Sequence, residues 1–121
     1  MLKHITIELP YPPSANSYWR RNGSRYFISA KGTAYRKYVI EHCKIYHGLF
    51  TKDERLSMIV DVYPPDRRKR DLGNLDKCLS DSLQHAGVYP DDYQIDELIF
   101  RRAKALDGKV IVYLSVIDKI E

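Results

Sequence analysis

Apolar and polar residues alternate along several stretches of the chain, and this period of two predicts half-buried β-strands. The clearest alternation covers residues 3–9, and a second covers residues 56–62, each with apolar side chains at every other position. Residues 94–103 and 109–117 form the strongest strand pair in the pattern. An Asp-Gly pair between them is a hairpin signal, so we predict that these two strands are direct neighbours.

Apolar spacings of three and four residues predict two helices. Ser29 is placed to cap the first helix, which runs from about Ala30 to Gly48 after a short strand at residues 25–28. The second helix runs from about Gly73 to Ala86, and a glycine follows it in the position that ends helices. This order of elements predicts an α+β fold, in which two main helices pack on a mixed sheet of about four or five strands.

Length and composition narrow the class of protein. The 121 residues are 44% hydrophobic and 30% charged, so we expect one globular domain over residues 1–121. No apolar run approaches the roughly 20 residues that a membrane span needs, and we find no signal-peptide core. The two cysteines exclude a disulfide scaffold, which makes a reduced cytoplasm the expected location. No Gly-rich phosphate loop is present, so we expect no organic cofactor.

Positive charge is clustered in the sequence, although the formal net charge is only +4. An unbroken basic run occupies positions 67–70, with the sequence Arg-Arg-Lys-Arg. Clustered cations suit a polyanion such as DNA or RNA. For one such run alone, a solvated loop is an equally good interpretation.

A second basic cluster lies in the polar and aromatic segment 14–25 and just beyond it, around a turn predicted at an Asn-Gly pair. Its cations and aromatic residues are Arg20, Arg21, Arg25, Tyr18, Trp19 and Tyr26. Aromatic side chains beside cations can stack on unpaired bases. They can equally pack beneath a loop, and packing is the interpretation that we favour.

Carboxylates stand among the cations at both ends of the second predicted helix, with Asp71 at its start and Asp92 just beyond its end. Asp71 suits a helix N-cap, so capping and charge balance are one interpretation. A magnesium site is the other, since Mg²⁺ usually takes one or two carboxylates together with waters and phosphate oxygens. Spacing also places Asn74, Lys77 and Asp81 on one helix face, where a lysine can neutralise a phosphoryl transition state.

Three ordered segments resemble a known family. The segment DRRKRDLGNLDKCLSDSLQHAGVYPDD resembles the signature of the RusA family of Holliday junction resolvases, and LPYPPSANSYWR and YFISAKGTAYR resemble its N-terminal half. Together the segments cover nearly the whole chain in order and spacing. The resemblance implies a homodimeric, Mg²⁺-dependent endodeoxyribonuclease that nicks four-way DNA junctions symmetrically.

The resemblance also implies roles for individual residues. Asp71, Lys77 and Asp92 match the family's catalytic positions, and we expect Asp71 and Asp92 to converge on a common Mg²⁺ ion, with Asp91 as a further metal ligand. The residues expected to contact DNA are Arg67, Arg68, Lys69, Arg70, Asn74, Arg20 and Arg21.

One position departs from the family pattern, because Gly73 stands where a second aspartate is common. The site could work with fewer protein ligands and more water, or Asp91 or Asp61 could substitute. Asp76 and Asp81 are weaker substitutes, since helix geometry turns Asp76 away from the face that carries the lysine. A third option is that catalysis is weak or lost.

Two other function classes remain open in the sequence. The departure at Gly73 supports a DNA-junction-binding protein without catalysis, in which the acids only cap and balance the arginines. A small RNA-binding domain is a further alternative, although no aromatic motif typical of such domains favours it.

Overall fold

A mixed four-stranded sheet with helices on one face organises the chain, and the predicted α+β fold class is confirmed. The computed structural model describes residues 3–117. Its strands are β1 (His4–Pro10), β2 (Trp19–Asn22), β3 (Arg25–Ile28), β4 (Leu56–Tyr63), β5 (Ile95–Arg102) and β6 (Lys109–Val116). Its α-helices are α1 (Ala15–Tyr18), α2 (Ala30–His42) and α3 (Asp76–His85), and 3₁₀ turns lie at Lys44–Tyr46, Leu72–Leu75 and Asp92–Gln94. Within this range no helix has the length and apolar character to cross a membrane.

Strand order corrects one prediction. The sheet runs β1-β6-β4-β5, so β5 and β6 are both neighbours of β4 and the predicted hairpin between them is wrong. β4 pairs antiparallel with β6 and parallel with β5. The chain leaving β5 crosses the end of β4, where the Ala103 N–H donates to the Val62 carbonyl at 2.8 Å. The apolar strand β4 therefore takes the central position, and the mostly exposed β5 forms an edge.

The alternation of buried and less buried side chains along β4 places every second residue in the core. Leu56, Met58, Val60 and Val62 are all buried, as the sequence pattern predicted. They face α2 and α3 and belong to a single hydrophobic cluster with residues of β1 and β6. Fully burying a side chain of this size contributes about 1.5–3 kcal/mol, so this face fixes the register of the sheet. Both cysteines are buried in the same cluster and unpaired.

The first long helix begins as predicted and ends earlier. The Ser29 hydroxyl accepts a hydrogen bond from the Gly32 N–H at 3.1 Å, which confirms the predicted cap. Helix α2 ends at His42 instead of continuing to Gly48, because the chain tightens into a 3₁₀ turn. The Gly48 N–H then donates to the Gly87 carbonyl at 2.7 Å, a long-range contact that the helical pattern does not reveal.

The second long helix is preceded by the 3₁₀ turn Leu72–Leu75, so α3 itself begins only at Asp76. Its end is as predicted, since Gly87 adopts a left-handed conformation with φ of 74°. A Cβ atom at this position would lie 2.4 Å from the His47 ring, so close packing also requires glycine here. Helix α3 is thus fixed at its C-terminal end, from which the chain returns toward β5.

Candidate active site

Helix α3 and the loop that follows it carry most of the predicted site residues. Lys77 lies in the first turn of α3 and is exposed. Its Nζ atom stands 5.9 Å from the centroid of the Trp19 ring, within the range of a cation–π contact. The Trp19 ring in turn meets the Tyr18 ring edge-on at 5.2 Å. The lysine is therefore held beside the segment that joins α1 to β2.

Asp92 lies in the loop after α3, folded back against that helix. Its backbone N–H donates to the Gln84 side-chain oxygen at 3.1 Å, while its Oδ1 atom is buried and has no hydrogen-bond partner among the described residues. Burial raises the pKa of the Asp92 carboxyl above its usual value, and the charges of Asp76 and Asp81 raise it further against the opposing effect of Tyr89. The charge on Asp92 is thus poorly compensated by the protein.

Asp76, which the sequence interpretation placed among the weaker substitutes, also acts on the Asp92 carboxyl. It stands at the first position of α3, and its Oδ1 accepts a hydrogen bond from the Ser80 hydroxyl at 2.6 Å. The predicted helix face turned it away from Lys77, yet its charge acts on Asp92. A helical projection cannot show this, because the loop that carries Asp92 folds over the helix from another part of the chain.

Asp91 and Asp92 have different surroundings although they are adjacent. The Asp91 carboxylate accepts the Tyr93 N–H at 3.0 Å, and the Asp91 N–H donates to the Gln94 side chain at 3.1 Å. This reciprocal pair is a capping box at the start of the 3₁₀ turn. The Asp91 carboxylate is therefore engaged in holding the turn.

Asp71 occupies the N-cap position of the turn Leu72–Leu75, but its side chain makes no capping hydrogen bond. Capping by this carboxylate, the alternative raised by the sequence, is therefore wrong. Asp71 is exposed and lines a groove of about 1000 Å³ together with Asn74, Arg68 and Lys69.

The predicted metal ligands do not gather into one cluster. Across residues 3–117, no three His, Cys, Asp or Glu side chains lie together in a way that could hold a metal ion. The charges of Asp76 and Lys77 both act on the Asp92 carboxyl. These three residues thus interact electrostatically, while Asp71 lines the groove.

Two acids considered as substitutes are paired elsewhere. Asp81 accepts hydrogen bonds from the Tyr18 hydroxyl and from Arg36. Partial burial raises the pKa of Asp81, but these two hydrogen bonds more than offset it and leave the pKa below its usual value. Asp61 accepts from the Arg101 Nε at 2.7 Å and alternates with buried β4 residues, so it lies on the sheet face opposite the helices.

The basic run at positions 67–70 forms a loop, and Asp66 holds two of its arginines. Arg70 Nη1 donates to Asp66 at 2.6 Å, and Arg68 pairs with the same carboxylate at 3.2 Å. Hydrogen bonds from Arg70 first, and then from the Arg68 backbone, hold the pKa of Asp66 well below its usual range. Arg67 and Lys69 are exposed on this loop. The loop therefore presents cations in a conformation that is partly fixed.

The aromatic residues near the first basic cluster divide into two groups. Tyr18 is fully buried and Trp19 is half-buried, so packing is confirmed for the first of them. Tyr26 is 66% exposed, and for this residue the packing interpretation is wrong. Arg20 and Arg21 are exposed on β2, which pairs antiparallel with β3 as a two-stranded hairpin that also carries Tyr26.

Comparison with known proteins gives a consistent result. The family model described as "Endodeoxyribonuclease RusA" matches residues 10–115. The chain is 44% identical over 117 residues to the crossover junction endodeoxyribonuclease of Enterobacteria phage HK97, covering 93% of this chain and 94% of the relative. It is 46% identical over 96 residues to the protein of the same name from Enterobacteria phage 82, covering 76% and 75%. The enzyme from Escherichia coli K12 is 41% identical over 93 residues, covering 74% and 75%.

Proposed function

The chain belongs to the RusA family of endodeoxyribonucleases, and on that premise we propose that it is a Mg²⁺-dependent nuclease that resolves four-way (Holliday) DNA junctions by paired symmetric nicks. The proposal combines two kinds of support. The names of its relatives supply the substrate, a crossover junction. The surroundings of Asp92 supply a place for the chemistry.

One observation carries the assignment of the site: the buried Oδ1 atom of Asp92 that has no partner among the described residues. Buried polar atoms are nearly always satisfied, so an unsatisfied carboxylate oxygen needs a reason. Here burial and neighbouring acids both disfavour its charge. A bound cation would supply the missing partner and reverse that penalty.

The residues present fit a hydrated divalent cation. Mg²⁺ is usually held by one or two carboxylates and completes its octahedron with waters and substrate phosphate oxygens. Asp92 offers a free oxygen, Asp76 lies close enough to influence its charge, and Asp71 has no capping bond to give up. We assign metal binding to Asp92 and Asp76, with Asp71 facing the DNA-bound side. Asp91 is not assigned to the metal, because its carboxylate caps the 3₁₀ turn that begins at Asp92.

The residues around the proposed metal site have separate roles in catalysis. The chemistry that bound Mg²⁺ supplies is activation of a water nucleophile and neutralisation of phosphate charge. Lys77 would place its ammonium group near a non-bridging or leaving oxygen of the scissile phosphate, steadied by the Trp19 ring. Asp92 and Asp76 would keep the local charge negative enough to attract the cation before DNA arrives. These roles keep Lys77 and Asp92 from the expected catalytic set, add Asp76 as a metal ligand and leave Asp71 at the DNA groove.

The basic loop 67–70 supports binding to the DNA backbone. Arg67 and Lys69 are exposed, and Arg68 and Arg70 are oriented by Asp66. Contacts of this kind read phosphates without regard to base sequence and weaken as salt rises. Asn74 lines the groove next to this loop, where it would reach the same strand.

A homodimer belongs to the same proposal. A four-way junction has two equivalent strands to cut, and a two-fold pair of identical chains provides two equivalent sites. Leu98 and Ile99 on the edge strand β5 are 44% and 39% exposed and lie on opposite faces of the sheet, so each face of this edge offers one apolar side chain for such contact. Light scattering of the purified protein should report twice the mass of one chain, and a stable monomer that cleaves junctions would contradict this part.

The direct experiment mixes the purified protein with a synthetic four-way junction and Mg²⁺. We expect paired nicks at symmetric positions, lost in Asp92→Asn and in Lys77→Ala, with no products from a linear duplex of the same sequence. Products that persist in the double variant Asp71→Asn, Asp92→Asn would remove the assigned site. Replacing Mg²⁺ with EDTA should abolish nicking while binding remains.

A second candidate function is favoured by Gly73, which lacks the carboxylate common in the family. In that case the protein would bind four-way junctions without cutting them. Tight junction binding with no Mg²⁺-dependent products from the wild-type chain would support this alternative and contradict the first proposal.

A further inference from the structure

The hairpin formed by β2 and β3 contributes Trp19 to the site described above, while the rest of the hairpin has no role there. All eight residues from position 20 to position 27 are exposed. Two of them are large aromatic residues, Tyr26 at 66% and Phe27 at 47% exposure. A short exposed hairpin has no core of its own in which to bury aromatic side chains, so these rings are available to a partner outside the chain.

Charge around the hairpin indicates which partner. No Asp or Glu occurs between positions 9 and 40, whereas six arginines and lysines do. Directly opposite residues on the two strands share a face, and the register pairs Arg21 with Tyr26 and Arg20 with Phe27. Each face therefore carries one cation beside one aromatic ring. This combination suits single-stranded nucleic acid, whose phosphates attract the cation and whose bases stack on the ring.

The face of Tyr26 is also concave. It lines a depression of about 540 Å³ together with Trp19, Arg21 and residues of α1. The Arg21 guanidinium stands 5.6 Å from the centre of the Tyr26 ring. Trp19 belongs both to this depression and to the cation–π contact with Lys77. A base seated in the depression would therefore carry its backbone toward the catalytic lysine.

We propose that the depression between Tyr26 and Trp19 binds one unpaired DNA base at the branch point of the junction. The inference rests on the proposed function, because it names how the same site would select branched over linear DNA. A continuous duplex keeps its bases stacked and offers none to the ring, whereas a branch point offers bases that are easier to unstack. Selectivity for structure then follows without any contact that reads base identity.

Trp19 is the only tryptophan of the chain, so its fluorescence reports on the depression directly. The full-length protein would be titrated, in EDTA to prevent cleavage, with a four-way junction and with a linear duplex of the same sequence. We expect the junction to quench Trp19 emission and the linear duplex to leave it almost unchanged. Equal quenching by both DNAs would overturn the proposal.

A substitution pair sharpens the test. Tyr26→Leu should weaken junction binding about tenfold and leave duplex binding unchanged, while Tyr26→Phe should behave as wild type because the ring is retained. Tyr63→Leu is the matched control, since the Tyr63 ring also has a cation over it, Lys109 Nζ at 5.1 Å, and lies on the sheet face opposite the helices. Unchanged junction binding in Tyr26→Leu would contradict the inference.

The same proteins separate this inference from the function on which it rests. Wild-type nicking of junctions in Mg²⁺ together with unaltered selectivity in Tyr26→Leu would refute only the base-binding depression. If the wild-type chain neither binds nor nicks four-way junctions, the proposed function fails and the depression fails with it.

Discussion

Asp81 on α3 and Asp92 in the loop after it lie close enough for the charge of Asp81 to shift the pKa of Asp92, yet the two carboxylates have opposite surroundings. Asp81 accepts hydrogen bonds from Tyr18 and Arg36, and its pKa is lowered. Asp92 has a buried oxygen without a partner among residues 3–117, and its pKa is raised. The surroundings of an acid, more than its place in a motif, thus decide whether its charge supports the fold or remains available to a ligand.

The largest expected effect separates Asp92 from its neighbour. Asp92→Asn should lower junction cleavage about 100- to 1,000-fold, because it removes the negative charge of the carboxylate assigned to the cation. Asp91→Asn should retain cleavage within a few-fold, since asparagine caps a turn as well as aspartate does. Initial rates on one labelled junction measure both. Equal losses in the two variants would erase the distinction between the carboxylates.

For Asp81, the other carboxylate of this pair, substitution by asparagine should lower the stability of the fold. It weakens the acceptor for Tyr18 and Arg36, and we expect a loss of about 1–3 kcal/mol in the free energy of unfolding. Urea denaturation of Asp81→Asn and Asp92→Asn would measure this, with Asp92→Asn at least as stable as wild type. A destabilised Asp92→Asn and an unaffected Asp81→Asn would invert the assignment.

Gly73 offers a test, with a smaller expected effect, of whether the absent family carboxylate limits the site. An added Cβ at this position meets nothing within 4 Å, so Gly73→Asp should fold without strain. We expect about a tenfold gain in Mg²⁺ affinity or cleavage if the family's second carboxylate is restored. Gly73→Ala is the control for the loss of backbone freedom. A gain in Gly73→Ala equal to that in Gly73→Asp would show that the carboxylate is irrelevant.

The smallest expected effect is the pH dependence of stability. The lowered pKa of Asp81 contributes stability that is present above its unfolded value near 3.8 and is lost as the pH falls through its folded pKa. The raised pKa of Asp92 has the opposite sign, so its stabilising contribution is present at low pH and is lost as the pH rises through its folded pKa. The destabilisation by Asp81→Asn should therefore grow from pH 3 to pH 6, and the relative stability of Asp92→Asn should grow over the same range. Urea unfolding at four pH values would show the two slopes, and slopes of equal sign would contradict the comparison.

Local sequence patterns predicted most strands and helices of this fold. They did not predict the order of the strands, because that order depends on pairing between distant parts of the chain. The buried alternation of β4 and the cap at Ser29 depend on residues near in sequence, and both are confirmed. The β5–β6 hairpin failed because an Asp-Gly turn says nothing about a third strand entering between its two neighbours. Burial of β4 on one face and exposure of β5 decided that order.

Prediction of the site was limited in the same way, by contacts between distant parts of the chain. Motif spacing singled out Lys77 and Asp92, which the structure places in one electrostatic group. It could not show that the charge of Asp76 acts on Asp92, because that depends on where the loop after α3 returns. The neighbours that fix Asp92, Gln84 and Tyr89, are unremarkable in the sequence.

The central claim is that Asp92 holds a divalent cation, and calorimetric titration with Mg²⁺ in the absence of DNA tests it most directly. Wild type and Asp91→Asn should bind with similar affinity, while Asp92→Asn should show no saturable heat at the same concentrations. Binding of Mg²⁺ by Asp92→Asn with the wild-type affinity would contradict the account.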